Sequence, residues 1–167
     1  LILFIVQTPL FVILSWGIIF YTSYIIAKGL SKKFWVQALS VPLLATLIDF
    51  TMDPVATRFG LWSWHGYGAH DGIIGVPLAN FMGWYLVIFA LMLTLRIVGH
   101  IDFLGRAGRF IIAPIFSLGL FLIFFAAFSY TANAFGLSIS NQFNYIMFFF
   151  PPIAAACVIG WLMNQLT

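Results

Sequence analysis

Asp49 and Asp53 are the residues whose types and spacing point most directly to chemistry. Four positions apart, they share one face of a helix. Two carboxyl groups that close beside hydrocarbon cannot both ionise easily, which leaves a carboxylic acid next to a carboxylate, a ready acid/base pair. The bland alternative is a pair of solvated aspartates marking a helix end. Asp49 weighs against it, because it lies a full turn further into an apolar segment, where an idle carboxylate is costly. Asn80 opens the next apolar segment, and its amide can hydrogen-bond a carboxylate across a helix pair and fix its orientation. An ordinary interhelical hydrogen bond is the competing reading. Phe81 and Gly83 follow Asn80, and Gly83 lets a neighbouring helix or ligand approach closely. Trp62, Trp64 and Trp84 complete the set. Tryptophan belongs at membrane interfaces, but its ring face also stabilises a cation, which matters if a reaction passes through a carbocation.

These residues fall in one stretch, Asp49 to Trp84, which holds three of the chain's 4 carboxylates, two of its 3 histidines and three of its 6 tryptophans. His65, His70 and Asp71 lie in the segment HGYGAHD, whose spacing matches no helical zinc signature, so no metal site is expected. His100 neighbours a basic loop and reads as solvated. Cys157 is the only cysteine, in the apolar run AAACVIGW, and reads as a packed, inert thiol. The chain contains no nucleophile elbow, phosphate-binding loop or dinucleotide fingerprint.

The elements that must position these side chains are membrane helices. The 167 residues are 63% hydrophobic and 7% charged, against about 25% charged in a soluble domain. The fold class expected is all-α, a polytopic integral membrane protein in which residues 1–167 form a single transmembrane domain. Apolar runs near the length needed to cross a hydrocarbon core of roughly 30 Å recur throughout. Five spanning helices are predicted, over about Pro9–Ala27, Phe34–Asp53, Pro77–Val98, Phe110–Tyr130 and Phe143–Met163. Pro54 is expected to end the second, because a proline disfavours helical geometry in the residue before it. Pro151 and Pro152 should kink the fifth, which is rich in phenylalanine at Phe148, Phe149 and Phe150. The sequence opens on Leu1 inside an apolar run without a basic leader. That reads as a processed start or as a chain lacking its N-terminal residues, and not as a cleaved signal peptide.

Lys28, Lys32 and Lys33 lie between the first two helices, and Arg96, Arg106 and Arg109 lie at the third-to-fourth connection, while Arg58 alone has the opposite parity. This asymmetry puts loops 28–33 and 99–109 in the cytoplasm and loop 54–76 on the periplasmic side of a bacterial inner membrane. The pI of about 9.3 therefore reflects topology and not a nucleic-acid partner. The 54–76 loop is long for a membrane connection and too aromatic for disorder, so it should fold back over the helix ends.

The pattern D-x3-D-P-V-A, then G-x-W-x-W, then G-V-P-L-x-N-F-x-G-W resembles the carotenoid biosynthesis membrane proteins, in particular carotenoid 1,2-hydratases of the bisanhydrobacterioruberin and γ-carotene hydratase type. The matching residues run from Asp49, Asp53, Pro54, Val55 and Ala56 through Gly60, Trp62 and Trp64 to Gly75, Val76, Pro77, Asn80, Phe81, Gly83 and Trp84. Asp53 stands where the second acid in what this resembles is often Glu. The resemblance implies hydration of the terminal C1=C2 double bond of an acyclic carotenoid, with no metal or redox cofactor. It makes Asp49 and Asp53 the acid/base pair, Asn80 their orienting group, and Trp62, Trp64, Trp84 and Phe81 the lining of a site for a long apolar polyene among membrane lipid. Two other readings stay open: a non-catalytic carotenoid-binding or structural subunit of a larger membrane complex, such as a photosynthetic one, and a cyclase acting through the same cation.

Overall fold

A computed structural model describes residues 4–5, 8–64, 66–68, 70–101 and 105–136. The fold is all-α. A two-residue antiparallel pair, β1 (Phe4–Ile5) and β2 (Thr8–Pro9), leads into α1 (Leu10–Leu30), α2 (Phe34–Arg58), α3 (Leu78–Gly99) and α4 (Gly105–Ala134). All four helices are long and apolar enough to cross a membrane. The predicted fifth helix, with its proline pair, its phenylalanine run and Cys157, lies outside the described residues, as do His65 and Asp102.

Consecutive helices pack as antiparallel neighbours: α1 on α2, α2 on α3 and α3 on α4. Short connections enforce this order between α1 and α2 and between α3 and α4. Between α1 and α2, the Gln37 amide donates to the Ser31 carbonyl at 2.7 Å, which ties the turn to the start of α2. Between α3 and α4, Arg109 Nε donates to the Ile101 carbonyl at 3.2 Å. The Arg96 guanidinium lies 5.5 Å from the Phe34 ring centre, linking the end of α3 to the beginning of α2. The described basic residues at these connections therefore gather at one end of the bundle.

Two buried stripes form the α2–α3 seam. On α2 it runs through Ala38, Val41, Pro42, Ala45, Asp49, Asp53 and Ala56; on α3 through Asn80, Trp84, Val87, Leu91, Thr94 and Val98. The small α2 residues let α3 approach closely, as tight packing in lipid requires. Trp16 reaches across from α1 to stack on Trp84, with ring centres 3.4 Å apart and planes 16° from parallel.

Several predicted boundaries need correction. α1 continues past Ala27 to Leu30, which puts Lys28 in its last turn, and α4 continues past Tyr130 to Ala134. α2 does not stop at Asp53 but continues through Pro54 to Arg58, so Arg58 belongs to the helix and the connection begins at Phe59. In hydrocarbon, proline removes one ladder bond, whereas ending the helix would orphan several backbone groups at once. The true stop is Gly60, at φ +68. Its N–H bonds the Thr57 carbonyl and the Leu61 N–H bonds the Ala56 carbonyl, both at 3.0 Å, which forms a Schellman cap. Likewise α4 starts at Gly105, five residues before Phe110, so Arg106 and Arg109 sit in its first turns.

The connection from Phe59 to Pro77 folds back over the helix ends, as expected. Trp64, Val76 and Phe81 form a buried cluster with Trp62, Tyr67 and Ile73 packed against it. Ile73 and Val76 exchange backbone hydrogen bonds of 2.8 and 3.2 Å around a tight turn. Its two central residues, Ile74 and Gly75, have φ of 54 and 83. A β-branched side chain rarely adopts that conformation, so Ile74 is a strained position.

Candidate functional site

Asp49 and Asp53 are fixed by helix periodicity on the buried stripe of α2, and the Schellman cap beyond them keeps that last turn helical. Asp49 is 3% exposed and Asp53 6%. Asn80 occupies the first turn of α3 and is 4% exposed. Pro77 precedes that helix in extended conformation, and its carbonyl accepts the Asn80 backbone N–H at 3.0 Å. The antiparallel packing of α2 and α3 brings the beginning of one helix to the end of the other. Asn80 therefore faces the two aspartates.

The contact is direct. Asn80 Nδ2 donates to Asp53 Oδ2 at 2.6 Å and to Asp49 Oδ2 at 3.3 Å. A primary amide has two N–H donors, and both are used here, one for each carboxyl group. One amide thus holds the two carboxyl groups together. Asn80 Oδ1, on the other side of the amide, is buried without a protein hydrogen-bond partner among the described residues. The site lies in the first turn of α3, the positive end of that helix's dipole, which suits a single negative charge there. No Lys or Arg is paired with either carboxyl group among the described residues.

The aromatic residues separate into two groups. Trp84 lies one turn below Asn80 on the same stripe, 2% exposed, with Trp16 covering one ring face. Phe81 joins Trp64 in the cluster beneath the loop, and its ring centre is 5.0 Å from that of Phe50 on α2. Trp62 is half-buried at the rim, 6.5 Å from Phe11 of α1. The structure thus brings Asp49, Asp53 and Asn80 together, keeps Trp84 and Phe81 beside them along α3, and puts Trp62 and Trp64 in the covering loop. Trp16 and Phe50 were not singled out from the sequence. Their spacing carries no signal of its own, because aromatic residues recur on every helix face; only the packing selects them.

Asp71 has a structural task. Its Oδ2 accepts the Gly68 N–H at 2.7 Å, and its carbonyl accepts the Gly75 N–H at 2.8 Å, which braces the loop from within. Gly72 is required beside it, since a Cβ there would collide with the Val76 carbonyl and the Tyr67 ring. Among the described residues, no group of three or more histidine, cysteine or acidic side chains is placed to hold a metal ion.

A family whose members are described as carotenoid biosynthesis proteins matches residues 3–160 of the chain. No curated protein and no solved structure gives a significant match.

Proposed function

The chain belongs to the carotenoid biosynthesis protein family, and from that premise we propose that it hydrates the terminal C1=C2 double bond of an acyclic carotenoid. The observation that carries the reading is the single amide of Asn80 bridging two buried carboxyl groups across α2 and α3. Such a cluster in a membrane bundle is expensive to maintain and marks a working site by default.

One carboxyl group of the pair holds a proton and the other is its conjugate base, which fits the amide they share. The acid delivers its proton to C2. The π electrons form the new C–H bond and leave a tertiary cation at C1. Water then bonds to C1 through an oxygen lone pair, and its surplus proton passes to the carboxylate. The net change is the addition of one water, and proton passage across the pair restores the starting state. Either aspartate can start as the acid. Trp84 and Phe81 line the cation's approach, with Trp62 and Trp64 closing the site from the loop. The chain sits in a bacterial cytoplasmic membrane with residues 28–33 and 99–109 inside. The acid pair lies near the opposite face, where water is close at hand.

Expression in cells that accumulate acyclic carotenoids, followed by mass analysis of the pigments, tests this reading. A product heavier by one water is expected. An isomer of unchanged mass would indicate cyclisation, and unchanged pigment co-purifying with the protein would indicate a binding subunit; either result would replace the hydratase reading.

A further inference from the structure

We propose that Asn80 Oδ1 seats the water consumed in the reaction, so that Asn80 binds a substrate as well as orienting the acid pair. The inference rests on the hydration reading and extends it to the second reactant. Both amide protons of Asn80 go to Asp49 and Asp53, at 3.3 and 2.6 Å, and the ionised member of that pair, which can only accept, requires nitrogen on this edge of the amide. Oδ1 is therefore left with its lone pairs unmatched. Asn80 is 4% exposed, so bulk water does not satisfy that oxygen, and no protein donor among the described residues does. A buried acceptor left in that state is costly, because it has given up its hydration for nothing.

The only partner a carbonyl-type oxygen accepts is a hydrogen-bond donor. The donor that fits beside two carboxyl groups without adding a charge is a hydroxyl, either water or the alcohol it becomes. Oδ1 and Nδ2 share one carbon, so a molecule on Oδ1 is held next to the carboxyl group that must take its proton. One hydrogen of the water rests on Oδ1, the oxygen lone pair faces the cation, and the second hydrogen is free for the carboxylate. Proton donation to the alkene and capture of the cation then depend on different edges of the same amide.

This division can be measured by running the reaction in deuterium oxide and following two products: the alcohol, and unhydrated carotenoid that has gained deuterium because the cation lost a proton instead of capturing water. In the unsubstituted protein the alcohol should dominate. Asn80→Leu removes the seat, and the ratio of alcohol to deuterated alkene should fall at least about tenfold, whatever happens to the total rate. Asn80→Asp keeps an acceptor oxygen in the same place, and its ratio should stay close to that of the unsubstituted protein even if the rate drops. A ratio unchanged in Asn80→Leu, or lost equally in both variants, would overturn the seat and leave Asn80 as a positioning residue alone. If the unsubstituted protein forms neither alcohol nor deuterated alkene, the hydration reading itself fails and the seat falls with it.

Discussion

Asn80 governs the site because its amide is shared by two acceptors that would otherwise repel each other. Removing it leaves both carboxyl groups buried without that donor, so Asn80→Leu should destabilise the protein by about 1–3 kcal/mol, read as a lower midpoint of thermal unfolding in detergent. A midpoint at or above that of the unsubstituted protein would mean the cluster is not held together through this amide. Trp84 depends on a partner in another helix: Trp16→Ala removes the stacked ring and opens a cavity against it. A loss of about 3–5 kcal/mol is expected from the same unfolding measurement. Asp71 provides the contrast. Its carboxylate braces the loop through the Gly68 N–H, so Asp71→Ala should cost about 1 kcal/mol of stability and leave the chemical nature of the pigment product unchanged. A change of product with Asp71→Ala would draw the loop into the chemistry. At this scale the sequence was informative where polarity is rare. Asp49, Asp53 and Asn80 stand out because a carboxylate or amide in hydrocarbon needs a reason. Trp16 and Phe50 were invisible for the opposite reason, since one aromatic among many carries no positional signal.

α2 shows how a membrane helix weighs a proline against a glycine. Pro54 was expected to end it, following the behaviour of proline in water, where freed backbone groups can be hydrated. In lipid the helix runs on to Arg58 and stops only where Gly60 can adopt the left-handed conformation that closes the cap. The extra turn matters to the site, because a helix ending at Asp53 would leave that residue as a frayed cap instead of a wall of the seam. The shared face of Asp49 and Asp53 was legible from their spacing. Which proline bends and which glycine terminates was not, because that depends on the solvent around each turn. The covering loop stores strain at Ile74, at φ 54. Ile74→Asn places a residue tolerant of that region there and should stabilise the protein by about 1 kcal/mol, provided the side chain makes no compensating contact. It is exposed, so an unchanged or lowered unfolding midpoint would indicate that Ile74 is held by something the bundle alone does not contain.

The molecule as a whole is a bundle with unequal ends: described cations at the turns joining α1 to α2 and α3 to α4, and the acid pair beneath an aromatic loop at the other end. That polarity was readable from charge counts alone, since it depends on how many Lys and Arg residues each connection carries and not on packing. In a Cys157→Ala background, Lys33→Cys and Leu61→Cys should therefore react with a membrane-impermeant maleimide from opposite sides of sealed vesicles, with Leu61→Cys on the outer side. Labelling of both from one side would overturn the topology. The proposed function brings a hydrophobic substrate to a proton-sharing pair near the outer face. The most direct test of that claim is pigment mass analysis in cells accumulating acyclic carotenoids, with the unsubstituted protein, Asp49→Asn and Asp53→Asn expressed side by side. The unsubstituted protein should add one water to the carotenoid. Each substitution should lower that product by at least about a hundredfold, the scale of a lost general acid or base. Hydration at an undiminished rate in either variant would contradict the shared-proton mechanism.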